Sequence, residues 1–395
     1  MLEETTLKEI GILEIHTHVK YLYTLAKICK TKKSNVTIFT TKEIFSKLET
    51  YLKNKSEYEI VLKKEREGIS SFLKRVKKIC NEKIDLLFVN TFQLSCFYLP
   101  RYIGFHPKSK MILTVHTANA WLKPKPVCNI KKIVRTIDTN LSSFIASKFI
   151  LPKFAAITVI YSPIKDYILK EGAYEKKIFT LPFYLFDDNN IYKETENKRM
   201  QIVIPGQIEE HRRDYDTILD AFEVIFKKYN ELIDLCLLGY PVGMYGNRIL
   251  KRCKELKDAG YNIAYFDSFV PEKVYDQIMK KVDVIVLPIK IETRGMGLIQ
   301  EFYGITKGSA SVFEGIQYGK PMVVPEEFNV IKELKSSTLK YANSNNLEKI
   351  LIEYIEDKNK LKVLKKNANE NAKHFSLDVF QKYFVDEILD NLDNL

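Results

Sequence analysis

The sequence predicts an α/β protein built from two Rossmann-like, parallel-sheet domains that face each other across a cleft. Three observations lead there. Short, continuously apolar runs alternate with helix-length segments along the chain, the pattern of strands buried on both faces and joined by helices. A polar stretch, DDNNIYKETENKR at Asp187–Arg199, interrupts the alternation near its middle and has the composition of a linker. A chain of 395 residues, 46% hydrophobic and 12% aromatic, also has enough apolar side chains for two cores.

In order, Ile10–Ile15 reads as a buried strand and Val19–Lys30 as a helix, with apolar residues at Tyr21, Leu22, Leu25, Ala26 and Cys29. Strands follow at Val36–Thr40, Ile84–Asn90, Met111–His116, Ala155–Tyr161 and Ile178–Leu181, with a helix over Phe72–Cys80. Past the linker, strands are predicted at Ile202–Ile204, Leu235–Leu238, Ile263–Phe266, Val284–Leu287 and Met322–Val324. Helices fall between them at Tyr215–Tyr229, Gly246–Ala259, Val274–Lys281 and from Ser309 to about Tyr318. The expected division is 1–185, a linker at 186–200, a second domain at 201–370, and a C-terminal helix at 371–395 that crosses back onto the first domain. No repeat, low-complexity tract or spanning helix is predicted, and the opening Met1-Leu2-Glu3-Glu4 is not that of a signal peptide.

Six scattered cysteines without a CxxC pair, accompanied by six histidines, point to reduced thiols in a cytoplasm and against a structural zinc site. Charge is unevenly placed. Residues 1–185 carry 32 Lys/Arg against 16 Asp/Glu, and between Arg101 and Lys153 ten basic residues meet one acid, Asp138. Such a block attracts phosphates of a lipid headgroup, a nucleic acid or an anionic substrate; a solvated basic face fits the same count.

The chemistry is expected in TKGSASVFEGIQYGKPMVVP, Thr306–Pro325. Gly308 and Ser309 suit a helix N-terminus, the Ser hydroxyl accepting from an orphan amide. The free amides and dipole there suit a phosphate, with Lys307 as a flanking charge and Glu314 within reach of an attached sugar hydroxyl. An ordinary capped helix before a buried strand accounts for the same residues. Ligands of α/β sheets sit at the carboxyl ends of strands, so Gly206, Gln207 and the following His211-Arg212-Arg213 also stand out. Paired guanidiniums suit a diphosphate, although surface pairing with Glu209, Glu210 or Asp214 is the alternative.

These residues resemble the retaining, nucleotide-sugar-dependent glycosyltransferases of family 4, which have the GT-B fold. The motifs are GQIEEHRRDYDTILDAF (Gly206–Phe222), LCLLGYP (Leu235–Pro241), YFDSFVPEKVYDQIMKKVDVIVLP (Tyr265–Pro288) and GSASVFEGIQYGKPMVVP (Gly308–Pro325), with weaker matches in the first half. The resemblance implies that Arg212 holds the donor diphosphate, Glu314 the ribose, and Gly308 and Ser309 the phosphates through their amides. Val270 and Pro271 would lie against the base, and His116 would line the donor sugar, donating to it or to the departing phosphate. The sequence departs from the family at Thr306, where a glutamate is usual, at Gln207, where an arginine is usual, at His16-Thr17-His18 in place of a glycine-rich loop, and in the longer Lys290–Ile305 stretch. Lys307, ahead of Glu301 and Arg294, is the expected substitute for the missing glutamate.

The function expected is metal-independent transfer of a sugar, with retention, from a nucleotide diphosphate sugar to a lipid-linked or cell-surface glycan acceptor, with no cofactor and no nucleic acid partner. Rival readings are a GT-B nucleotide-sugar isomerase and a non-enzymatic basic binder. Trp121, Phe144, Phe149, Ile150 and Leu151, interleaved with Lys123, Lys125, Lys131, Lys132, Arg135, Lys148 and Lys153, are expected to rest on an anionic membrane, with Lys131, Lys132 and Arg135 as the contacts. A plain core at Phe144–Leu151 is the alternative. The expected location is cytoplasmic and peripheral to the inner face of the cell membrane.

Overall fold

The computed structural model describes residues 7–52, 54–123, 127–191, 198–294 and 298–395. The chain opening, Lys125 and the middle of the linker lie outside these.

Fifteen strands are found among the described residues. The first seven are β1 (Lys8–Glu14), β2 (Ser34–Thr40), β3 (Glu59–Leu62), β4 (Leu86–Val89), β5 (Lys110–Thr114), β6 (Ala156–Val159) and β7 (Lys177–Thr180). They form one parallel sheet in the order β3-β2-β1-β4-β5-β6-β7. Ile12 of β1 is in register with Ile38 on one side and Phe88 on the other, and all three are fully buried. Continuous apolar runs are therefore what the centre of this sheet requires.

The second half adds β8 (Met200–Pro205), β9 (Ile233–Leu238), β10 (Ile263–Tyr265), β11 (Val284–Val286), β12 (Glu292–Arg294), β13 (Gln300–Phe302), β14 (Met322–Pro325) and β15 (Thr338–Tyr341). Six of these make a second parallel sheet, β10-β9-β8-β11-β14-β15, while β12 and β13 pair as an antiparallel hairpin. The hairpin occupies the long Lys290–Ile305 stretch. Neither it nor the edge strands β3 and β15 is predicted from sequence: Glu59–Leu62 and Thr338–Tyr341 are four residues long, incompletely buried and each carries a charged residue.

Three apolar clusters hold the molecule together. One belongs to the second sheet alone. Another covers one face of the first sheet and includes Phe384, Ile388, Leu389 and Leu392 from the C-terminus beside Ile10, Ile12 and Leu22. The third runs through both halves, bringing Ile160 and Tyr161 against Phe313 and Phe328, with Tyr161 and Phe313 in an edge-to-face contact at 6.0 Å. Burial across this seam fixes how the strand ends of the two sheets oppose each other.

Candidate functional site

Both sheets reverse their strand order at one place, between β1 and β4 in the first and between β8 and β11 in the second. Loops diverge there and leave a crevice at the strands' carboxyl ends. Gly206, at the end of β8, adjoins the reversal in the second sheet, and His16-Thr17-His18, after β1, adjoins that in the first.

On the second-domain side, Gly206 follows β8 with φ +98°, and a Cβ there would lie 2.3 Å from Arg213 Nη2. Glycine therefore does two things at this turn: it takes the left-handed conformation and leaves room for a guanidinium. Arg213 Nη2 donates to Ser311 Oγ at 3.0 Å, at the start of the Ala310–Gln317 helix, and its Nη1 is buried with no protein partner. One turn further along that helix, Glu314 Oε1 accepts from the Tyr275 hydroxyl at 2.7 Å, while Oε2 is shut off from solvent and unpartnered. Burial raises the Glu314 pKa, and the hydrogen bond from Tyr275 and the charges of Lys20 and Arg213 oppose that rise.

The resemblance implies that Arg212 holds the diphosphate; in the structure it is Arg213, not Arg212, whose side chain reaches the mouth of the Ala310–Gln317 helix. Arg212 Nε is held by Glu209 and its Nη2 reaches Gln207 Oε1 at 3.4 Å, on a half-exposed surface. The inward residue is Arg213, because its backbone pairs with Ile289 beyond β11 and Asp214 N–H donates to Pro288 O. Ser309 likewise makes no side-chain cap; Ser311 is the hydroxyl engaged at the helix mouth. Val270 is buried and Pro271 precedes the Glu272–Lys281 helix that carries Tyr275. Beside them Tyr240 and the 73% exposed Phe269 sit 6.3 Å apart, with the Tyr240 hydroxyl bonded to Gln207. Both aromatics follow strands, β9 and β10, and that position is the signal by which sequence reasoning had access to them.

The first-domain wall is organised by Glu14, which is wholly buried. Its Oε1 accepts from the amides of His16 (2.7 Å) and Thr17 (3.1 Å), and its Oε2 from Asn90 Nδ2 and Thr91 Oγ1, both at 2.7 Å. This set of bonds lets the turn close without glycine and holds His18 at φ 53°, a conformation a non-glycine residue adopts only when its surroundings impose it. Desolvation lifts the Glu14 pKa to about 7 despite those donors. His18 stacks on His116 with ring centroids 4.0 Å apart, and its Nδ1 lies 2.9 Å from Thr91 Oγ1.

Burial holds all three histidines neutral: His16 and His18 are pushed down to about 4, and His116 is driven well below its usual value, with His18 and Lys307 adding to the effect. His116 Nε2 is 3.1 Å from Asn90 O. A carbonyl only accepts, so Nε2 carries the proton and Nδ1 is left as an acceptor. In this tautomer the ring N–H is taken by Asn90 O, so Nδ1 is the nitrogen left for a ligand.

Between the walls, β13 of the hairpin is tied to the first domain. Glu301 of β13, wholly buried, accepts from Ala120 N–H at 2.9 Å and Asn119 N–H at 3.4 Å in the first domain, and burial lifts its pKa to about 7. Thr306 spends its hydroxyl in the turn that follows β13, accepting from Phe302 N–H at 2.7 Å, and its carbonyl accepts from Ala118 N–H at 2.9 Å. Gly308 packs so closely on Ile160 that a Cβ would lie 2.9 Å from that side chain. Lys307 places its ammonium 5.2 Å over the Tyr303 ring. Across the same seam Lys20 pairs with Glu272 at 2.7 Å.

Of the basic block, Lys131, Lys132 and Arg135 are exposed, and the last two line a cleft of about 550 Å³ with His211, Arg212 and Arg294. Trp121 and Ile150 are core rather than surface, Lys123 is paired with Glu171, and Lys153 donates to the carbonyls of Tyr102 and Ile103. Phe144 and Phe149 are about half exposed. Among the described residues no three His, Cys, Asp or Glu side chains are grouped to hold a metal ion, and no helix is long and apolar enough to cross a membrane.

No protein-family model matches the chain, and no curated protein matches it in sequence. Solved structures match it along nearly its whole length. Anabaena Alr3699/HepE, in complex with UDP-glucose, is 13% identical with a TM-score of 0.62, over 98% of this chain and 100% of its own. The catalytic domain of starch synthase IV from Arabidopsis thaliana, bound to ADP and acarbose, is 10% identical with a TM-score of 0.60 over 98% and 100%. The UDP-GlcNAc 2-epimerase from Neisseria meningitidis, bound to UDP-GlcNAc, is 12% identical with a TM-score of 0.56 over 98% and 100%. At these identities the likeness is one of architecture: the chain has the GT-B fold, two Rossmann-like domains over a common cleft.

Proposed function

We propose that the protein moves a sugar, with retention, from a nucleoside diphosphate sugar to an acceptor held by the first domain, and that this acceptor is a lipid-linked or cell-surface glycan precursor at the inner face of the cell membrane. One observation carries the reading: Arg213 Nη1 and Glu314 Oε2 are buried without partners at one helix mouth. A buried polar group left unpaired costs about 1–3 kcal/mol. A donor diphosphate offers the oxygens that Arg213 lacks, and a ribose hydroxyl offers the O–H that Glu314 lacks. The architecture is shared with proteins whose bound ligands are UDP-glucose, UDP-GlcNAc and ADP, which supports a nucleoside diphosphate without choosing the base.

The chemistry follows from where charge develops. Heterolysis of the bond between the anomeric carbon and the diphosphate oxygen leaves its electron pair on the phosphate. Arg213, Lys307 and the amides opening the Ala310–Gln317 helix stabilise it, the largest contribution a site of this kind makes. These groups take the place of a divalent cation. His116, neutral and with Nδ1 as a lone-pair acceptor, holds a sugar hydroxyl rather than protonating the leaving group. Retention by attack of the acceptor on the face of departure rests on the family resemblance.

The epimerases among the structural neighbours favour a second reading, an isomerase acting on the nucleotide sugar itself. Incubation with nucleotide sugars, with and without a membrane-lipid extract, separates the two. Donor consumed only with the extract supports transfer; a changed sugar still attached to its nucleotide, formed from donor alone, supports isomerisation. A non-enzymatic binder consumes donor in neither case.

A further inference from the structure

The helix Ile133–Ile145 is inside out. Its buried residues are Thr139, Ser142 and Ser143, while Ile133, Val134, Ile137, Leu141 and Phe144 are 44–73% exposed, and Ile130 in the turn before it is 86% exposed. At 3.6 residues per turn the five exposed helical side chains fall within an arc of roughly 100°, the stripe that ordinarily faces a core. The inward hydroxyls have partners: Thr139 Oγ1 donates to Arg135 O at 2.7 Å and Ser142 Oγ to Asp138 Oδ1 at 3.1 Å. The helix thus sits stably on the protein with its polar side down. Phe144 and Phe149 meet edge-to-face at 5.9 Å and extend the stripe past the helix end. Asp138 accepts from Cys96 N–H at 2.8 Å, which brings the 71% exposed Phe97 to its flank.

We propose that this stripe is an interfacial element that lays the first domain on an anionic membrane surface. Charge decides the occupant. Lys131, Lys132, Arg135 and Lys148 are all exposed around the stripe, and the one acid between Arg101 and Lys153 is Asp138, whose carboxylate is occupied by Ser95, Cys96 and Ser142. Apolar side chains reaching the acyl boundary with cations at headgroup level are the two terms that bind an amphipathic helix to anionic lipid. Spanning roughly 20 Å at 1.5 Å per residue, the helix is too short to cross a bilayer and suited to lying in its surface. Lys132 and Arg135 also line the cleft shared with Arg212 and Arg294, so docking sets phosphate-bearing headgroups at the cleft mouth. That consequence for the acceptor rests on the function proposed above; the docking itself does not.

Co-sedimentation with vesicles of equal parts phosphatidylglycerol and phosphatidylcholine, against pure phosphatidylcholine, tests it. The full chain is expected to bind the mixed vesicles only, and more weakly as salt rises, since exposed charges are screened within about 10 Å at 0.1 M. The double variant V134D/I137D is expected to lose vesicle partitioning on the order of tenfold or more, with its unfolding temperature and nucleoside diphosphate affinity unchanged. Failure of the wild type to bind mixed vesicles at low salt overturns the proposal, as does wild-type binding by the double variant. If the wild type is instead a dimer in solution that the double variant converts to monomer, with no vesicle binding, a second copy covers the stripe and the membrane assignment is wrong. Nucleotide affinity measured alongside keeps this outcome separate from the fate of the donor site.

Discussion

Arg213 Nη2 donates to Ser311 Oγ at 3.0 Å, tying the turn after β8 to the first turn of the Ala310–Gln317 helix. Neighbouring Arg212 is spent on Glu209 at the surface. Substituting each in turn therefore separates them. Arg213→Ala is expected to weaken nucleoside diphosphate binding by about 1.5–3 kcal/mol, the loss of a charge-assisted contact. Arg212→Ala is expected to cost under about 1 kcal/mol, as for an exposed ion pair. Calorimetric titration checks both, and the reverse order of effects restores Arg212 to the phosphate site.

Gly206→Ala probes the same contact from the backbone. The new Cβ meets Arg213 Nη2 at 2.3 Å from a residue with φ +98°. The conformational strain alone is about 1–2 kcal/mol, and the displaced guanidinium adds a loss of nucleotide affinity. A lowered unfolding temperature together with weakened binding is the expected pair of results; a variant that binds like wild type removes Arg213 from the donor contact.

Glu301, which bonds across to the first domain, makes stability depend on pH. Its pKa is lifted from 4.5 to about 7 by burial. For an acid raised in the folded state, the stabilisation is complete below pH 4.5 and is lost as pH climbs through about 7, a difference on the order of 3 kcal/mol. Glu301→Gln cannot ionise, so its unfolding temperature relative to wild type is expected to rise between pH 5 and pH 8. Comparing the two proteins is necessary because Glu14 shares this sign, whereas His16 and His18, lowered to about 4, favour the fold as pH rises through 4 to 6.5. A flat difference between the two proteins contradicts the assignment.

Metal removal addresses how the departing charge is handled. On the proposal that Arg213, Lys307 and the helix amides take the place of a divalent ion, donor turnover is expected to survive excess EDTA. Loss of turnover restored only by Mg²⁺ or Mn²⁺ contradicts that account.

Much of the architecture was legible because parallel strands buried on both faces leave continuous apolar runs, as in IGILEI and VTIFT. The β12–β13 hairpin was not, since its strands, ETR and QEF, are polar in sequence and Glu301 finds its partners in the other half of the chain. Which of two adjacent arginines turns inward depends on the Arg213–Ile289 pairing, a contact between segments distant in sequence. The composition around Phe144 showed apolar and basic residues mixed. A helical stripe has the same period whether it faces core or solvent, however, so only the burial of Thr139, Ser142 and Ser143 reveals which way the helix lies. The neutral state of His116 and its donation to Asn90 O likewise belong to the packing.

The most direct test of the donor site is calorimetric titration with ribonucleoside diphosphates and their 2′,3′-dideoxy counterparts, in wild type and in Glu314→Gln. One ribonucleoside diphosphate is expected to bind at one site, more tightly than its dideoxy counterpart by about 1.5–3 kcal/mol, because the hydroxyls donate to a carboxylate. Glu314→Gln is expected to lose most of that preference while still binding the diphosphate through Arg213. Absence of binding by every nucleoside diphosphate, or a ribose preference unchanged in the variant, contradicts the assignment of this helix mouth as the nucleotide-sugar site.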